Sequence, residues 1–448
     1  MEASERSPGQ QRSSLVAAGF GQSMELTFVN TFLLMYLMEY ARISSGGMAA
    51  VTAIITAARI FDALNDPFMG GIVDKTRTRW GKLRPYIIFS AAPVALFSAL
   101  LFCLPGAAEP VKLVFFGICY VLWGIAYTMC DVPYWTLIGA VFSDTRERTK
   151  TISHVRAIMS VSTGLITLGA PWIARGLSFS PRTSARGWSL AAILVSAAGM
   201  GLFTLAFFGT RERRDLRQTT PPSLGTLFGI LFKNRPLFMV LLGSIVGFGR
   251  TIIQAGGAVF AVIAYNNEGY FTLIGAAIII GMIAASFGAP LLLKRFSDKQ
   301  VILASSLMGA LFNTIMYLTG FKNLGLMMGL IFGNGLSLGL FMVVQTTLIA
   351  AAVDNIERRT GVRNDGISFS SLTFVSKLMG SLSVLVFGMA LALSGYEEGA
   401  TVTASMQNLI FLSITLIPAA SCLLSAIPFA FYRLEPPCPA APDAVRGA

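Results

Sequence analysis

The sequence is poor in charge. Of 448 residues only 12% are Asp, Glu, Lys or Arg, about half the share of an ordinary soluble domain. That excludes a water-soluble enzyme of several domains. The 54% hydrophobic content equally excludes a disordered chain, which needs low hydrophobicity. There is one histidine, His154, near the start of an apolar segment, and it is given no role. Five cysteines occur, Cys103, Cys119, Cys130, Cys422 and Cys438, and none forms a CxxC pair. No disulfide framework or zinc motif is therefore expected. Four of the five lie in apolar stretches, where a free thiol behaves as a small buried hydrophobe. No GxSxG, HExxH, P-loop or dinucleotide-binding pattern stands in a fitting context. Residues 1–14 are polar and precede no short apolar core with a cleavage site, so no cleaved signal peptide is expected.

What the chain does have is apolar length. A membrane span needs about 20 mostly apolar residues. Twelve stretches qualify, at 15–40, 47–73, 84–104, 111–141, 150–174, 187–209, 236–265, 270–293, 300–320, 324–353, 366–394 and 403–432. Several are long and glycine-rich, which suits tilted, closely packed helices. An even number of spans puts both tails on one side. That side then carries 24 Lys and Arg, the other side 6, and four more (Arg59, Arg156, Arg250 and Lys377) lie within spans. So uneven a split marks the richer side as cytoplasmic. It accounts for the net charge of +12 without any nucleic acid partner.

The longest polar connection, TRERRDLRQTTPPSLG, follows the sixth span and divides the chain six and six. The expected fold is an all-α integral membrane protein, twelve transmembrane helices in two six-helix bundles, the layout of the major facilitator fold. The expected organisation is a cytoplasmic tail over 1–14, a bundle over 15–209, a central cytoplasmic loop over 210–235, a second bundle over 236–433 and a cytoplasmic tail over 434–448. Location in the inner (plasma) membrane, multi-pass and monomeric, follows as the expectation.

A charged side chain at the centre of a span costs about 2.5–3.5 kcal/mol, so such residues tend to mark ion or substrate paths. The second span reads ARIFDALNDPFMGGIVD. In it Arg59, Asp62, Asn65 and Asp66 recur at spacings of three and four, and so share one helical face. Two carboxylates one turn apart with an amide between supply the hard oxygen ligands a small cation requires. The pair could instead share a proton, because close carboxylates resist double ionisation. A third reading is an internal salt-bridge ladder of Arg59 with Asp62.

The fourth span reads YTMCDVPYW. Thr128, Asp131 and Trp135 share a face, with Tyr127 beside them. An acid that accepts hydroxyl hydrogen bonds beside an aromatic face suits sugar capture, although such aromatics also serve as packing. Arg156 in the fifth span has no acid near it in sequence, and Asp131 is its candidate partner. Lys377 in the eleventh span could face the Asp62/Asp66 pair across the two halves. The loop GGIVDKTRTRWGKLRP, with Gly70, Asp74, Arg77 and Arg84, could hold the halves together at the cytoplasmic side or be an ordinary positive-inside loop. Glu25 and Arg250 are further charges within spans.

RIFDALNDPFMGGIVDKTRTRWGKLRP resembles the signature of the glycoside–pentoside–hexuronide:cation symporters, the family of melibiose permease. DVPYW, the stretch ERRTGVRNDGISFSSLTFVSK and the opening GFGQSMELTFVNTFLL are similar to the same family, so that the likeness runs through nearly the whole chain. The resemblance implies a cation site at Asp62, Asn65, Asp66 and Thr128, with Lys377 beside it. It implies sugar contacts at Asp131 and Trp135, flanked by Tyr127 and Arg156. It also puts Ser23 and Gln22 where family members carry an acid preceded by a lysine, and Met342 where they carry a sugar-stacking Trp. The cation half of the site is kept and the substrate half is altered.

The function expected is cation-coupled symport of a small sugar or glycoside by alternating access, coupled to Na+, Li+ or H+, with no other cofactor. Sodium, if it is the coupling ion, would sit at the cation site. The alternative keeps fold and coupling and changes the cargo to a lipid-like or other amphipathic organic molecule. A membrane enzyme acting on lipid-linked sugar is disfavoured by the single histidine. A sensor is disfavoured by tails of 14 and 15 residues.

Overall fold

In a bilayer every backbone N–H and C=O must be bonded within the protein, and the helix is one of two ways to do it. The computed structural model of the chain uses only helices among its described residues. These are residues 7–142, 144–179, 183–212, 234–265, 269–360, 365–395 and 402–433. Residues 213–233 of the expected central loop, 434–448 of the expected carboxyl-terminal tail and 1–6 of the amino-terminal tail lie outside the described residues.

Twelve helical columns follow in chain order. They are α1 (Pro8–Met35, continued by a π turn Tyr36–Tyr40), α2 (Ser45–Lys75), α3 (Arg84–Leu101), α4 (Glu109–Val141), α5 (Thr145–Gly176) and α6 (Ala185–Phe203, continued by Leu205–Gly209). The second half holds α7 (Arg235–Val246, a 3-10 turn Gly247–Thr251, then Ile252–Tyr265), α8 (Gly269–Leu292), α9 (Asp298–Thr319), α10 (Leu324–Thr360), α11 (Asp365–Ser394) and α12 (Ala404–Phe431). Ten helices among the described residues are long and apolar enough to cross a membrane.

Helix starts follow local chemistry. The first helix begins at Pro8 and takes in residues 8–14 of the expected tail, because Ser7 and Gln10 form a reciprocal capping box with proline at the first turn. A second capping box, Ser297 with Gln300, starts α9. The Asp144 carboxylate accepts from the Glu147 amide to start α5. Small residues allow the tightest crossings. A methyl group on Gly21 would strike the Gly199 carbonyl, where α1 meets α6, and one on Gly335 would strike the Ile278 carbonyl, where α10 meets α8. The outward surface is apolar, with Leu168, Trp172, Leu311 and Leu385 exposed, as a protein solvated by lipid requires.

The two halves meet where α11 packs on α2 and α4, and where α5 packs on α8 and α10. Two bridges cross the α5–α10 seam. Arg148 Nη2 donates to Asp354 Oδ2 at 2.7 Å, and Arg156 Nη2 donates to the Thr346 hydroxyl at 3.1 Å. The partners are eight residues apart on each helix and run in opposite senses, so α5 and α10 are held in an antiparallel register. The rungs lie about 12 Å apart at 1.5 Å per residue.

Candidate functional site

A cavity of about 360 Å³ lies between the halves. Arg59 and Asp62 of α2, Tyr127, Asp131 and Trp135 of α4, Arg156 of α5 and Lys377 of α11 all line it. Seven of the residues singled out by sequence thus converge on one space, although they come from four helices and both halves. The regular spacing within α2 and α4 is what aims several side chains at one side.

Behind the cavity wall sits a compact polar cluster. Lys377 Nζ donates to Asp66 Oδ1 at 2.7 Å and lies 3.3 Å from the Thr128 hydroxyl. The Thr128 hydroxyl donates to the same Asp66 oxygen at 3.0 Å. Asp66 is 1% exposed and Lys377 27%. The second Asp66 oxygen, Oδ2, is buried without a hydrogen-bond partner. Asn65 lies beside Asp66 on α2 and is half-buried. Asp62, one turn away, presses its carboxylate against Gly124 of α4, at 2.5 Å from where a Cβ would stand. A side chain at position 124 would displace it. No ion pair joins Arg59 to Asp62 among the described residues, so α2 carries no internal ladder. The cross-half pairing of Lys377 with the α2 acids is present, and Asp66 is the acid that takes it.

The Asp131 side of the cavity is built differently from the expectation. Asp131 Oδ1 accepts from Gln22 Nε2 at 2.8 Å and from Trp135 Nε1 at 3.0 Å. Arg156 does not form an ion pair with Asp131; its guanidinium lies over the Trp135 ring, 4.1 Å from the centroid. The face of an indole attracts a cation, and the Asp131 oxygen already holds two donors. Acid, indole and guanidinium therefore form a stack in which Trp135 connects the other two. Arg156 Nε has no hydrogen-bond partner.

Two of the altered positions fall away from the cavity. The Ser23 hydroxyl donates to the Met159 carbonyl at 2.9 Å and lies 3.1 Å from the Thr163 hydroxyl. It serves the α1–α5 contact and is not among the cavity's lining residues. Met342 of α10 is also absent from the lining. It sits one turn from Thr346, whose hydroxyl donates to the Met342 carbonyl. Gln22, fully buried, acts through Asp131.

Glu25 and Arg250 each lie inside one half. The Glu25 carboxylate accepts from Ser98 and, at 3.0 Å, from Trp123 Nε1. Trp123 lines the cavity, so Glu25 orients one of its walls. Arg250 donates to the Ser306 and Ser425 hydroxyls at 2.6 and 2.8 Å and covers the Phe341 ring at 4.3 Å, inside the second bundle.

Among the described residues, the α2–α3 loop contacts the end of α6 and the residues that follow it. Arg84 donates to the Phe207 carbonyl through Nε and Nη2, at 3.1 and 2.7 Å. The Glu212 carboxylate caps the start of α3, accepting from the Lys82, Leu83 and Arg84 amides at 2.7, 2.9 and 2.8 Å. Gly70 is buried in α2 and Arg77 is exposed, while the side chain of Asp74 lies outside the described residues. Among the described residues, Arg148–Asp354 is an ion pair across the halves at this end. Sequence reading missed it, because Arg148 passes for one more positive-inside loop residue.

The chain is 29% identical over 408 residues to the glucuronide carrier protein homolog of Escherichia coli, covering 90% of this chain and 88% of that one. It is 28% identical over 443 residues to the isoprimeverose transporter of Lactiplantibacillus pentosus, covering 96% and 89%. Among solved structures, the fucose:proton symporter of E. coli superposes with a TM-score of 0.69 at 15% identity, covering 95% of this chain and 98% of that one. That likeness establishes the twelve-helix fold. The protein is a transporter and not an enzyme. With residues 15–436 matched by the family's profile, the chain belongs to the MFS/sugar transport protein family.

Proposed function

We propose that this protein carries a small sugar or glycoside across the inner (plasma) membrane together with Na+, Li+ or H+, with both termini cytoplasmic. The observation that carries this reading is the adjacency of two chemistries at one inter-half cavity. Asp131, Trp135 and Arg156 offer an acceptor, an aromatic face and a donor to a hydroxylated ring. Asp66, Thr128 and Lys377 form a buried charge cluster beside them. The cargoes for which the two relatives are named, a glucuronide and isoprimeverose, support a glycoside.

In this reading the Lys377 ammonium holds Asp66 when no cation is bound. An arriving cation takes the Asp66 and Asp62 oxygens with Thr128 and Asn65, and Lys377 withdraws from Asp66. Since Asp66 and Lys377 belong to different halves, the exchange changes how the halves are tied. Sugar bound between Asp131 and Arg156 changes the same tie from the other side of the cavity. Each ligand then raises the affinity for the other by the same factor, and rocking of the halves exchanges access. One chain holds the whole cavity, so a monomer suffices.

The test is binding of a panel of glycosides, pentoses and hexuronates to the purified protein, with and without Na+ at two pH values. Sugar binding strengthened by Na+ or by acid supports the reading and identifies the coupling ion. Cation stabilisation that survives in Asp66→Cys overturns the cation site. Absence of binding by every sugar overturns the sugar assignment.

A further inference from the structure

A second cavity, of about 610 Å³, opens on the outer face of the first bundle where α1, α5 and α6 meet. Its polarity is graded along the helix axes. At the end nearest the chain's amino terminus it is bounded by Gly9, Arg12 and Ser13. Deeper in, it is lined by Val16, Ala17, Phe20, Ile158 and Leu202. On α1 the lining residues recur every three or four positions, so one helix face forms the floor. Gly9, Ser13 and Ala17 keep that floor low.

The α5 wall repeats the gradient. Lys150, His154 and Ile158 stand one turn apart on one face; Lys150 is exposed at the end, and His154 and Ile158 line the groove. Arg12 is fixed at the rim by its pair with Glu147, yet its Nε is buried without a hydrogen-bond partner. Of the charged groups around His154 at the mouth, Arg12 and Lys150 outnumber Glu147. From Gly9 to Phe20 the groove runs about 16 Å along α1 at 1.5 Å per residue. Of that, Arg12 to Phe20 takes about 12 Å, which fits within one leaflet of a hydrocarbon core about 30 Å thick.

A basic mouth and an apolar trough that fits within one leaflet match one class of molecule. We propose that this groove binds an anionic phospholipid of the leaflet on the amino-terminal side, its phosphate at Arg12 and Lys150 and one acyl chain over Val16, Ala17, Phe20, Ile158 and Leu202. Charge complementarity at the mouth selects the anionic headgroup, and the trough selects a tethered chain over a free phosphate. The site is separate from the inter-half cavity and does not rest on the identity of the transported sugar.

The experiment is native mass spectrometry of the full-length purified protein with phosphatidylglycerol or phosphatidylcholine. Phosphatidylglycerol is expected to be retained in preference to phosphatidylcholine. Lys150→Gln, a surface change that spares the fold, should lower phosphatidylglycerol retention about fivefold, the worth of one basic residue near an anionic headgroup, and leave phosphatidylcholine unchanged. Ala17→Leu, which fills the trough, should lower retention of both. Equal retention of the two lipids by the unmodified protein overturns the proposal, as does unchanged phosphatidylglycerol retention in Lys150→Gln. Displacement of the lipid by glycerol 1-phosphate at equal concentration also overturns it, because the chain would then contribute nothing.

Discussion

The tie between Lys377 and Asp66 lends itself to a double-mutant cycle. At 2.7 Å two unit charges attract by about 6 kcal/mol at an effective dielectric constant of 20. Desolvation offsets much of that, and the 27% exposure of Lys377 admits further screening. A net coupling of about 2 kcal/mol remains, about thirtyfold in an equilibrium constant. Asp66→Asn leaves an ammonium facing an amide at the inter-half contact. Lys377→Gln leaves an uncompensated carboxylate, and Asp66 is almost wholly buried, so this is the more damaging single change. The double variant removes both charges and keeps hydrogen-bonding groups in place. It should therefore be more stable than Lys377→Gln alone, and its loss should fall about 2 kcal/mol short of the summed single losses. The assay is unfolding of the four proteins in mixed micelles at fixed ionic strength, each repeated with and without Na+. Additive losses would refute the pairing as an energetic link. Cation protection that persists in the double variant would refute Asp66 as a cation ligand.

Three further outcomes follow from the geometry. Trp135→Phe removes the indole N–H that Asp131 accepts while leaving a ring beneath Arg156. Sugar affinity should fall about tenfold or more, the worth of a hydrogen bond to a charged group, and unchanged affinity would dissociate Trp135 from the site. Arg148→Gln breaks one rung of the α5–α10 seam, at about 2 kcal/mol for a pair whose acid is 21% exposed. In a Ser376→Cys background, alkylation from the side of the termini should accelerate, and an unaltered rate would mean that this ion pair does not govern access there. Glu212→Gln weakens the three amide bonds that cap α3. Amide exchange at Lys82, Leu83 and Arg84 should rise about tenfold, and exchange equal to the unmodified protein would deny the carboxylate its capping role.

The helices were legible because apolar length is written locally, and the asymmetry of Lys and Arg between loops supported the count. Two starts fall well before their expected spans, α1 at Pro8 and α5 at Thr145; each carries a local signal, the Ser7–Pro8–Gln10 capping pattern and the Asp144 cap, in residues easily taken for a polar tail or loop. The α2 face was legible from spacing, and the meeting of Lys377 with it from charge, since a cation within a span needs an acid from another helix. The partner of Arg156 was not legible. A guanidinium stacked on an indole leaves no spacing pattern between α4 and α5, and matching charge to charge pointed to Asp131 instead. Ser23 and Met342 were carried over by alignment, and alignment does not say which way a helix is turned about its axis.

The antiparallel register of α5 and α10 has a mechanical consequence. If the halves rock about the level of the inter-half cavity, which Arg156 lines, displacement grows with distance from that pivot. The Arg148–Asp354 rung, about two turns further out than Arg156–Thr346, must then separate first and travel furthest. The seam opens like a zip from its outer end, and the sequence of events is fixed by lever arm instead of bond strength. The outer rung sets the threshold for opening. The inner rung yields last, and when it does it releases the guanidinium that lies over Trp135. The cavity wall thus learns of the opening only when the path behind it is already clear.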